Sequence, residues 1–220
     1  MLTRSLPQFL LLCVSLTLVD SIAARELLNL SLAKEAVLNY VDTGCYEDDL
    51  SAVAKEVSTW LAERVQEKKP TEKLMLVLDI DETVLSNLDH MRQMDFGYLP
   101  VQWDQWVAEG TAEAIKPILA LFQTARRLGI SVVFITGRKE TDRPGTEKNL
   151  SATGLGDYQE LFCKPSLFLG PSEQYKMEVR QRLAAEGWTI IANVGDQNSD
   201  LEGGGSERVF KLPNPFYLIK

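Results

Sequence analysis

The protein has 220 residues, of which 45% are hydrophobic and 25% are charged, and nine of them are prolines. This length fits one domain with room for a small cap beside its core, and this composition excludes extensive disorder, collagen-like sequence and disulfide-dense scaffolds. The 23 basic and 31 acidic residues give a net charge of −8, which repels polyanions, so we expect no nucleic acid polymer as a partner.

A single histidine, His90, narrows the chemistry that the chain can perform. Serine triads, cysteine–histidine pairs and histidine-rich zinc sites each need an imidazole in the right place. With one histidine in the whole chain, we expect catalysis to rest mainly on carboxylates.

Residues 1–24 have the three parts of a secretory signal peptide. Arg4 gives the segment a basic start, Leu6–Val19 is mostly apolar, and Ser21–Ala24 is a run of mainly small residues. The apolar stretch is shorter than the roughly 20 residues that a membrane span needs, so cleavage is favoured over retention as an anchor. We therefore predict a secreted or periplasmic protein, extracellular or vacuolar in a eukaryote, with no stable membrane span after cleavage.

An oxidising compartment would let the two cysteines of the mature chain, Cys45 and Cys163, form a disulfide. Two separate thiols fit the sequence equally well, because pairing depends on geometry. Asn29 and Asn149 each begin an Asn-x-Ser sequon, which matters in a eukaryotic secretory pathway. The sequence leaves the disulfide, the glycans and an oligomer open.

Two amphipathic helices are predicted before the first strand. Apolar residues recur at spacings of three and four over Glu47–Gln66, and another helix is predicted over about Glu26–Tyr40. The polar linker Glu67–Lys73 then leads to an apolar run. We interpret residues 25–73 as helices and a linker that act as a cap or as support, and residues 74–220 as the core.

Strands and helices alternate along the predicted core. Its strands are short apolar runs of the kind that is buried on both faces, and each of its helices is followed by a glycine. The predicted strands are Leu74–Leu78, Ile130–Ile135, Ser166–Leu169, Trp188–Val194 and Arg208–Leu212, and the helices between them are Pro117–Leu128 and Ser172–Glu186. This alternation predicts an α/β fold with a Rossmann-like parallel sheet flanked by helices.

The segment from about residue 87 to residue 110 fits neither a strand nor an ordinary loop. It is too long for a simple connection, so we expect it to fold over the strand ends as part of a small, mainly helical cap. Its large apolar side chains either grip the organic part of a substrate or pack the cap onto the core, and the sequence leaves both open. They are Met91, Met94, Phe96, Tyr98, Trp103 and Trp106.

Polar residues follow three of the predicted strands. Asp79 and Asp81 come after the first strand, and Thr136 comes after the second. Asp196 follows the strand that ends at Val194. In a parallel sheet all of these positions share the carboxyl edge, where ligands of open α/β folds bind. Asp79 and Asp81 are two residues apart, so both point to the same side and converge with Asp196.

Three carboxylates at one buried edge repel one another and need a cation. Oxygen ligands without histidine favour magnesium. Lys176, in the first turns of the helix after the third predicted strand, can add a fixed positive charge. Each of these elements alone is usually structural, as a turn, a cap or a solvated side chain. Their combination in this order along the chain is what points to a catalytic site.

This ordered combination resembles the haloacid dehalogenase superfamily of phosphotransferases. Asp79–Thr83 is similar to the first motif of that superfamily, Thr136 to the second and Lys176 to the third, while Asp196 and Asp200 are similar to the fourth. Four segments more narrowly resemble the secreted acid phosphatases of classes B and C and the related plant acid phosphatases and vegetative storage proteins. They are Leu78–Asn87, Trp103–Val107, Thr136–Arg138 and Thr146–Leu150.

The resemblance implies a Mg²⁺-dependent phosphomonoesterase that acts through an aspartyl-phosphate. Asp79 would be the nucleophile and Asp81 the general acid and base. The implied ligands of Mg²⁺ are Asp79, the backbone carbonyl of Asp81, and Asp196. Thr136 and the backbone N–H groups around Gly137 would hold the phosphoryl oxygens.

The same resemblance implies that Lys176 stabilises the charge on Asp79 and on the phosphate, and that Asp200 orients the water shell of the metal. The implied substrate is a small phosphate monoester, and a nucleotide-specific 5′-phosphatase is one alternative. A noncatalytic storage protein on the same fold is another, although a relative that had lost the chemistry should lack the aspartate at position 79. A phosphate-accepting receiver domain fits poorly, because it would need neither the Asp81 acid nor a secretion signal.

Overall fold

The computed structural model describes residues 27–219, so the predicted signal peptide at residues 1–24 lies outside the described residues. The helices of the described part are α1 (Leu30–Asp42), α2 (Cys45–Gln66), α3 (Leu88–Gln93), α4 (Pro100–Glu109), α5 (Lys116–Arg127), α6 (Arg143–Ala152), α7 (Ser172–Ala185) and α8 (Asn198–Leu201). Its strands are β1 (Lys73–Leu78), β2 (Leu85–Ser86), β3 (Glu113–Ala114), β4 (Ser131–Lys139), β5 (Glu160–Lys164), β6 (Trp188–Gly195) and β7 (Val209–Lys211).

Five parallel strands form the main sheet in the order β5-β4-β1-β6-β7. The central strand β1 lies between β4 and β6, and its last residue, Leu78, pairs with Phe134 on one side and Val194 on the other. The carboxyl ends of these three strands therefore lie next to one another. The predicted α/β fold with a parallel sheet is confirmed.

The alternation of side chains along β1 divides the core into two layers. Leu74, Leu76 and Leu78 face the larger hydrophobic cluster, whereas Met75 and Val77 face the smaller one, as the two-residue period of a strand requires. All five side chains are buried, which explains why the strand reads as an unbroken apolar run.

Helices cover both faces of the sheet. On one face α2 packs against α5, and the indole N–H of Trp60 donates to the carbonyl of Ile191 in β6 at 2.8 Å. On the other face α7 places Tyr175, Val179 and Leu183 in the smaller cluster. The second N-terminal helix is therefore a layer of the core that supports the sheet.

The segment after β1 forms the expected helical cap. Strands β2 and β3 pair antiparallel at its base, and α3 and α4 lie between them in the chain. Helix α4 crosses α6 at Gly145, where a Cβ would overlap the backbone carbonyl of Val107. Below this crossing the buried side-chain amide of Asn149 donates to the carbonyl of Ala112 at 2.7 Å and accepts from its N–H at 3.0 Å. A glycine and one asparagine thus hold the cap on the core.

One predicted strand is wrong. Ser166–Leu169 is an irregular turn in which Leu167 and Leu169 are 92% and 98% exposed, and the third strand of the core is β5, at Glu160–Lys164. An edge strand with three buried residues between charged ends has too short an apolar run to stand out from the turn that follows it. Helix α6 was not anticipated either, because Pro144 and Gly145 near its start are ordinarily signals of a turn.

The sequence left open whether the two cysteines pair and whether the two sequons carry glycans, and the burial of these residues bears on both questions. Cys45 is exposed and Cys163 is buried in β5, and both are free thiols, so the alternative of two separate thiols is the one observed. Asn29 caps α1 at the surface, whereas Asn149 is buried with its amide in use, which leaves Asn29 as the accessible sequon. Within residues 27–219, the helices are too short or too polar for any of them to span a bilayer.

Candidate active site

A cavity of about 430 Å³ opens at the carboxyl edge of the sheet, over the ends of β1, β4 and β6. Carboxylates and basic groups form its floor, and aromatic side chains from the cap and from the C-terminal tail form its walls. Floor residues are Asp79, Asp81, Gly137, Arg138, Lys176, Asp196 and Asp200. Wall residues include Phe96, Tyr98, Trp103, Phe216 and Tyr217.

Four charged side chains form what we call the aspartate cluster: Asp79, Asp196, Asp200 and Lys176. One carboxylate oxygen from each aspartate lies within 4.8 Å of the others. The ammonium group of Lys176, on α7, donates to Oδ1 of Asp79 and, at 2.6 Å, to Oδ1 of Asp200. All four residues are buried. The sequence predicted that Asp79, Asp81 and Asp196 converge; Asp79 and Asp196 do, but the third carboxylate of the cluster is that of Asp200, because Asp81 is paired with Arg138 instead.

Asp200 reaches the cluster because of a close backbone approach. Its side chain lies directly over Gly195, where a Cβ would overlap the Asp200 carboxyl group. Its Oδ2 accepts the backbone N–H of Gln197 at 2.8 Å, which fixes the short helix α8 against the end of β6. The Gly-Asp-x-x-x-Asp spacing of the sequence therefore has a steric cause.

Burial and like charge dominate the electrostatics of the cluster. Burial raises the pKa of Asp79 well above its ordinary value; Lys176 opposes this shift, and the carboxylates of Asp200 and Asp196 add to it. Burial also raises the pKa of Asp196, and Asp200 acts in the same direction. Burial alone would lower the pKa of Lys176, but Asp200 and Asp79 more than offset it, so the ammonium form is favoured.

The donor set of the cluster fits a small divalent cation. Three carboxylates and one ammonium group give a formal net charge of −2 within the cluster, and every available donor is oxygen. Oδ2 of Asp79 accepts no hydrogen bond from a described residue, whereas each oxygen of Asp200 already has a donor. Hard oxygen donors of this kind suit Mg²⁺, and among the three aspartates only Asp79 has an oxygen that accepts from no described residue, because both oxygens of Asp196 also have donors.

The second group of the site is the Asp81 network, which consists of Asp81, Glu82, Asn87 and Arg138. Asp81 does not point into the aspartate cluster. Its carboxylate accepts from Nε of Arg138 at 3.1 Å on both oxygens and from Nη2 at 2.7 Å. The side-chain amide of Asn87 donates to Oδ1 of Asp81 at 2.9 Å. One carboxylate is thus held from two sides in a single orientation.

Arg138 is itself held in place by a residue of α6. Its Nη1 donates to the hydroxyl of Thr146 on α6 at 3.1 Å, and its side chain is almost wholly buried. Burial opposes the charge on the guanidinium, but the Asp81 carboxylate more than compensates, and the net pKa of Arg138 is raised. A forked, permanently charged side chain is the residue type that can hold a carboxylate in this way.

Glu82 is the other acid of the network and is 1% exposed. It accepts from the backbone N–H of Asn87 at 2.6 Å and from the hydroxyl of Tyr217 at 2.8 Å. Burial and the neighbouring Asp81 raise the pKa of Glu82 to about 8, against the effect of these hydrogen bonds. Its backbone has a φ of 53°, in the left-handed region, so this turn bends the chain sharply between β1 and the cap.

The three residues of the Thr-Gly-Arg segment of β4 do not all face the cavity. Gly137 and Arg138 line the cavity. Thr136 is fully buried, and its hydroxyl accepts the backbone N–H of Arg138 at 3.1 Å. The predicted contact of Thr136 with a phosphoryl oxygen stays a prediction.

The aromatic residues of the cap divide between the core and the cavity wall. Trp106 packs against the core and donates its indole N–H to Oδ1 of Asn87 at 2.8 Å. His90 stacks on Trp106 with ring centroids 5.5 Å apart, and burial lowers its pKa. Phe96 and Trp103 line the cavity.

Sequence reasoning missed several residues of the site. Asn87 and Glu82 lie inside the Leu78–Asn87 segment and Arg138 inside Thr136–Arg138, so they were within recognised segments without an assigned role. Asn214 and Tyr217 belong to the tail after β7 and have no local signal at all. Their one indication is that a tail leaving the carboxyl end of a parallel strand begins at the edge where the site lies.

Comparison with known proteins places this chain in a family. The family model described as HAD superfamily, subfamily IIIB (acid phosphatase), matches residues 10–220. "Acid phosphatase 1" of Solanum lycopersicum is 41% identical over 148 residues, which are 65% of this chain and 58% of that protein. "Vegetative storage protein 1" of Arabidopsis thaliana is 30% identical over 178 residues, 79% of this chain and 65% of that protein. The chain thus spans less than two thirds of either relative's length.

The fold is similar to that of a solved bacterial structure. The class C acid phosphatase from Bacillus anthracis superposes with a TM-score of 0.71 at 23% identity, covering 86% of this chain and 87% of that chain. The same sheet and flanking helices therefore occur in both proteins.

Proposed function

The chain belongs to subfamily IIIB of the HAD superfamily, an acid phosphatase family, and from this premise we propose that it is an acid phosphatase that hydrolyses small phosphate monoesters through an aspartyl-phosphate on Asp79. The observation that carries the proposal is the state of Asp79. One of its oxygens is bound by the buried Lys176, while the other accepts no hydrogen bond from a described residue at the floor of the cavity. That free oxygen is the nucleophile.

A phosphate ester is an anion, so it needs positive charge at this floor before a carboxylate can approach it. Mg²⁺ supplies that charge when bound and polarises the phosphoryl group. The residues that would hold it are Asp79, Asp196 and the backbone carbonyl of Asp81, with Asp200 orienting the surrounding water. Lys176 neutralises the non-attacking oxygen of Asp79 and stays charged because the cluster raises its pKa.

Asp81 is the general acid and base in this mechanism. It protonates the leaving alcohol while Asp79 forms its bond to phosphorus, and the ester oxygen leaves with its electron pair. It then removes a proton from the water that cleaves the aspartyl-phosphate. Arg138 and Asn87 hold the Asp81 carboxylate in one orientation, which is the positioning that both proton transfers require.

The phosphoryl oxygens would lie against the β4 end and the start of α7. Gly137 lines the cavity and comes close to Ser172, the first residue of α7, so backbone N–H groups and the positive end of a 14-residue helix face the same space. We assign phosphate binding to Thr136, Gly137 and Lys176. The aromatic walls leave room for an organic group, and a nucleotide-specific 5′-phosphatase is the narrower form of the proposal.

A storage function is the competing proposal, since one relative is named a vegetative storage protein. A protein that only stored nitrogen would have no need of a nucleophile, a buried lysine and an oriented acid. Here Asp79, Lys176 and Asp81 are all present and arranged around one cavity. This arrangement favours the enzyme.

We propose that the chain is secreted after removal of residues 1–24. N-terminal sequencing of the protein exported by its native host should find a start near Arg25. An exported protein that keeps Met1 or Leu2 would mean that the segment is an anchor.

A phosphate-release screen tests the function. The purified mature chain, Asp79→Asn as the inactive control and a panel of sugar, nucleoside and aryl phosphates should be measured with Mg²⁺ and after chelation. We expect turnover of at least one ester class that is lost on chelation and restored by Mg²⁺. Full activity in metal-free buffer would contradict the metal assignment, and no activity on any ester would favour the storage function.

A further inference from the structure

The tail that follows β7 runs back across the active site. It covers residues 212–219, and Phe216, Tyr217 and Ile219 line the cavity. The ring of Phe216 stacks on Phe96 of the cap with centroids 6.4 Å apart and meets the edge of Tyr46 of α2 at 5.3 Å. The tail is therefore packed against the N-terminal helix and the cap at once.

The tail contacts the aspartate cluster through Asn214. Oδ1 of Asn214 accepts the backbone N–H groups of Phe216 at 2.8 Å and of Tyr217 at 3.3 Å. These two donors identify the oxygen of the amide and leave Nδ2 free to donate to Oδ2 of Asp196 at 2.7 Å. Asp196 is one of the aspartates that would hold Mg²⁺, and its other oxygen has a single donor, the hydroxyl of Thr83 at 3.2 Å.

Gln197 strengthens this contact. Its side-chain amide donates to the same Oδ2 of Asp196 at 2.6 Å and accepts the backbone N–H of Ile219 at 3.0 Å. Both donors to Oδ2 are thus tied to the tail, so the rotation of the Asp196 carboxylate about its Cβ–Cγ bond depends on where the tail lies. Oδ1 has no donor from the tail.

The tail contacts the Asp81 network through Tyr217. The Tyr217 hydroxyl donates to Oε2 of Glu82 at 2.8 Å, and Glu82 accepts from the backbone and side chain of Asn87 at 2.6 Å and 3.1 Å. The same Asn87 amide donates to Asp81. A chain of hydrogen bonds therefore leads from the tail to the acid and base of the reaction.

We propose that Asn214 and Tyr217 are positioning residues, Asn214 for the metal ligand Asp196 and Tyr217 for the acid and base Asp81. The inference rests on the proposed phosphatase function. Removing a hydrogen-bond partner of a metal ligand typically weakens metal binding by about 10- to 100-fold. Loss of one hydrogen bond from a series of bonds that orients a proton donor should lower kcat by about 5- to 10-fold.

The test separates the two roles with matched variants. Asn214→Ala is compared with Asn198→Ala, because Asn198 is exposed and its side chain makes no hydrogen bond to residues 27–219. Asn214→Ser is a second variant, since a serine hydroxyl can still accept the Phe216 N–H but is too short to reach Asp196. Tyr217→Phe is compared with Tyr40→Phe, since the Tyr40 hydroxyl also donates to a carboxylate, that of Asp49, but Tyr40 does not line the cavity.

Calorimetric titration of the substrate-free proteins with MgCl₂ measures the first role. Asn214→Ala and Asn214→Ser should raise the dissociation constant by about 10- to 100-fold, while kcat recovers at saturating Mg²⁺. The controls and Tyr217→Phe should bind Mg²⁺ as the wild type does. Wild-type affinity in both Asn214 variants would overturn this half of the inference.

Leaving-group dependence measures the second role, at saturating Mg²⁺. For an alkyl phosphate, which needs the acid, kcat of Tyr217→Phe should fall by about 5- to 10-fold, and for nitrophenyl phosphate it should fall less. Equal losses on both esters, or a profile like that of Tyr40→Phe, would overturn this half. A wild type that releases no phosphate from any ester would refute the phosphatase itself, while the Mg²⁺ titration still tests Asn214.

Discussion

The aspartate cluster and the Asp81 network lie side by side at one edge of the sheet, but different forces hold their side chains. In the cluster, three buried carboxylates repel one another and one ammonium group, Lys176, binds two of them. In the network, the Asp81 carboxylate accepts hydrogen bonds from Arg138 and Asn87, and Arg138 is held in turn by Thr146. The cluster has excess negative charge, whereas the charge of Asp81 is balanced by that of Arg138.

This difference suits the two tasks of a phosphatase. In the proposed mechanism, the excess negative charge of the cluster attracts Mg²⁺, and Asp79 attacks through the oxygen that Lys176 does not bind. Arg138 and Asn87 hold Asp81 in place for the proposed proton transfers. We therefore expect substitutions in the cluster to abolish chemistry or metal binding, and substitutions in the network to give graded losses of rate.

Replacing Asp79 should have the largest effect. In Asp79→Asn a neutral amide can neither attack phosphorus nor contribute charge to the metal site, so turnover of every ester should fall by roughly 10⁴-fold or more. Nitrophenol release measures it, with Asp104→Asn on the surface of α4 as the control. Residual turnover within about 10-fold of wild type would mean that another group is the nucleophile.

Asp81→Asn should have the next largest effect. The backbone carbonyl proposed to contact the metal survives, but the proton donor and acceptor are lost, a contribution of roughly 10²- to 10⁴-fold in steady-state rate. Mg²⁺ affinity measured by titration should stay at the wild-type level. If it is lost together with activity, the side chain of Asp81 belongs to the metal site and the two groups are not separate.

Arg138→Lys tests whether geometry, beyond charge, matters in the network. Lysine keeps the positive charge but cannot bridge both oxygens of Asp81 and reach Thr146 as well, so kcat should fall by about 10- to 100-fold. Arg143→Lys, at the half-buried start of α6, is the matched control, because Arg143 also pairs with a carboxylate but does not line the cavity. Wild-type kcat in Arg138→Lys would show that a point charge is sufficient.

Replacing Asn149, which holds the cap but lies outside both groups of the site, should affect stability and have the smallest effect on catalysis. Asn149→Ala leaves the buried N–H and C=O of Ala112 without partners, which should lower the free energy of unfolding by about 2 to 4 kcal/mol. Asn29→Ala, the other sequon asparagine, removes only an exposed helix cap and should cost about 0.5 to 1 kcal/mol. Urea denaturation compares them, and equal losses would show that the Asn149 bonds do not anchor the cap.

The two halves of the site also differ in how far the sequence could predict them. Asp79, Asp196 and Lys176 follow or face the ends of apolar strands, so the sheet rule alone brings them together. The position of Arg138 was visible, but its partner was not, because an arginine in a turn can point to solvent or to any nearby carboxylate. Pairing it with Asp81 requires knowing that α6 closes behind it through Thr146.

The tail shows where sequence reasoning ends. Asn214 and Tyr217 reach the site because the chain turns back over the sheet edge after β7, and no periodicity or motif encodes that path. The wrong strand at Ser166–Leu169 has a related cause. Three apolar residues in a row look the same in a buried strand and in an exposed turn, and the difference lies in the neighbours that cover them.

We propose above that the phosphoryl group is transferred to Asp79 and that Asp81 then helps water to hydrolyse the aspartyl-phosphate. Rapid mixing of Asp81→Asn with nitrophenyl phosphate and Mg²⁺ tests it most directly, because this ester loses its leaving group without protonation. We predict a burst of up to one equivalent of nitrophenol per enzyme, slow turnover afterwards, and a phosphoryl group detected by mass spectrometry on the peptide that contains Asp79. A burst from Asp79→Asn, or wild-type steady turnover by Asp81→Asn, would contradict the account.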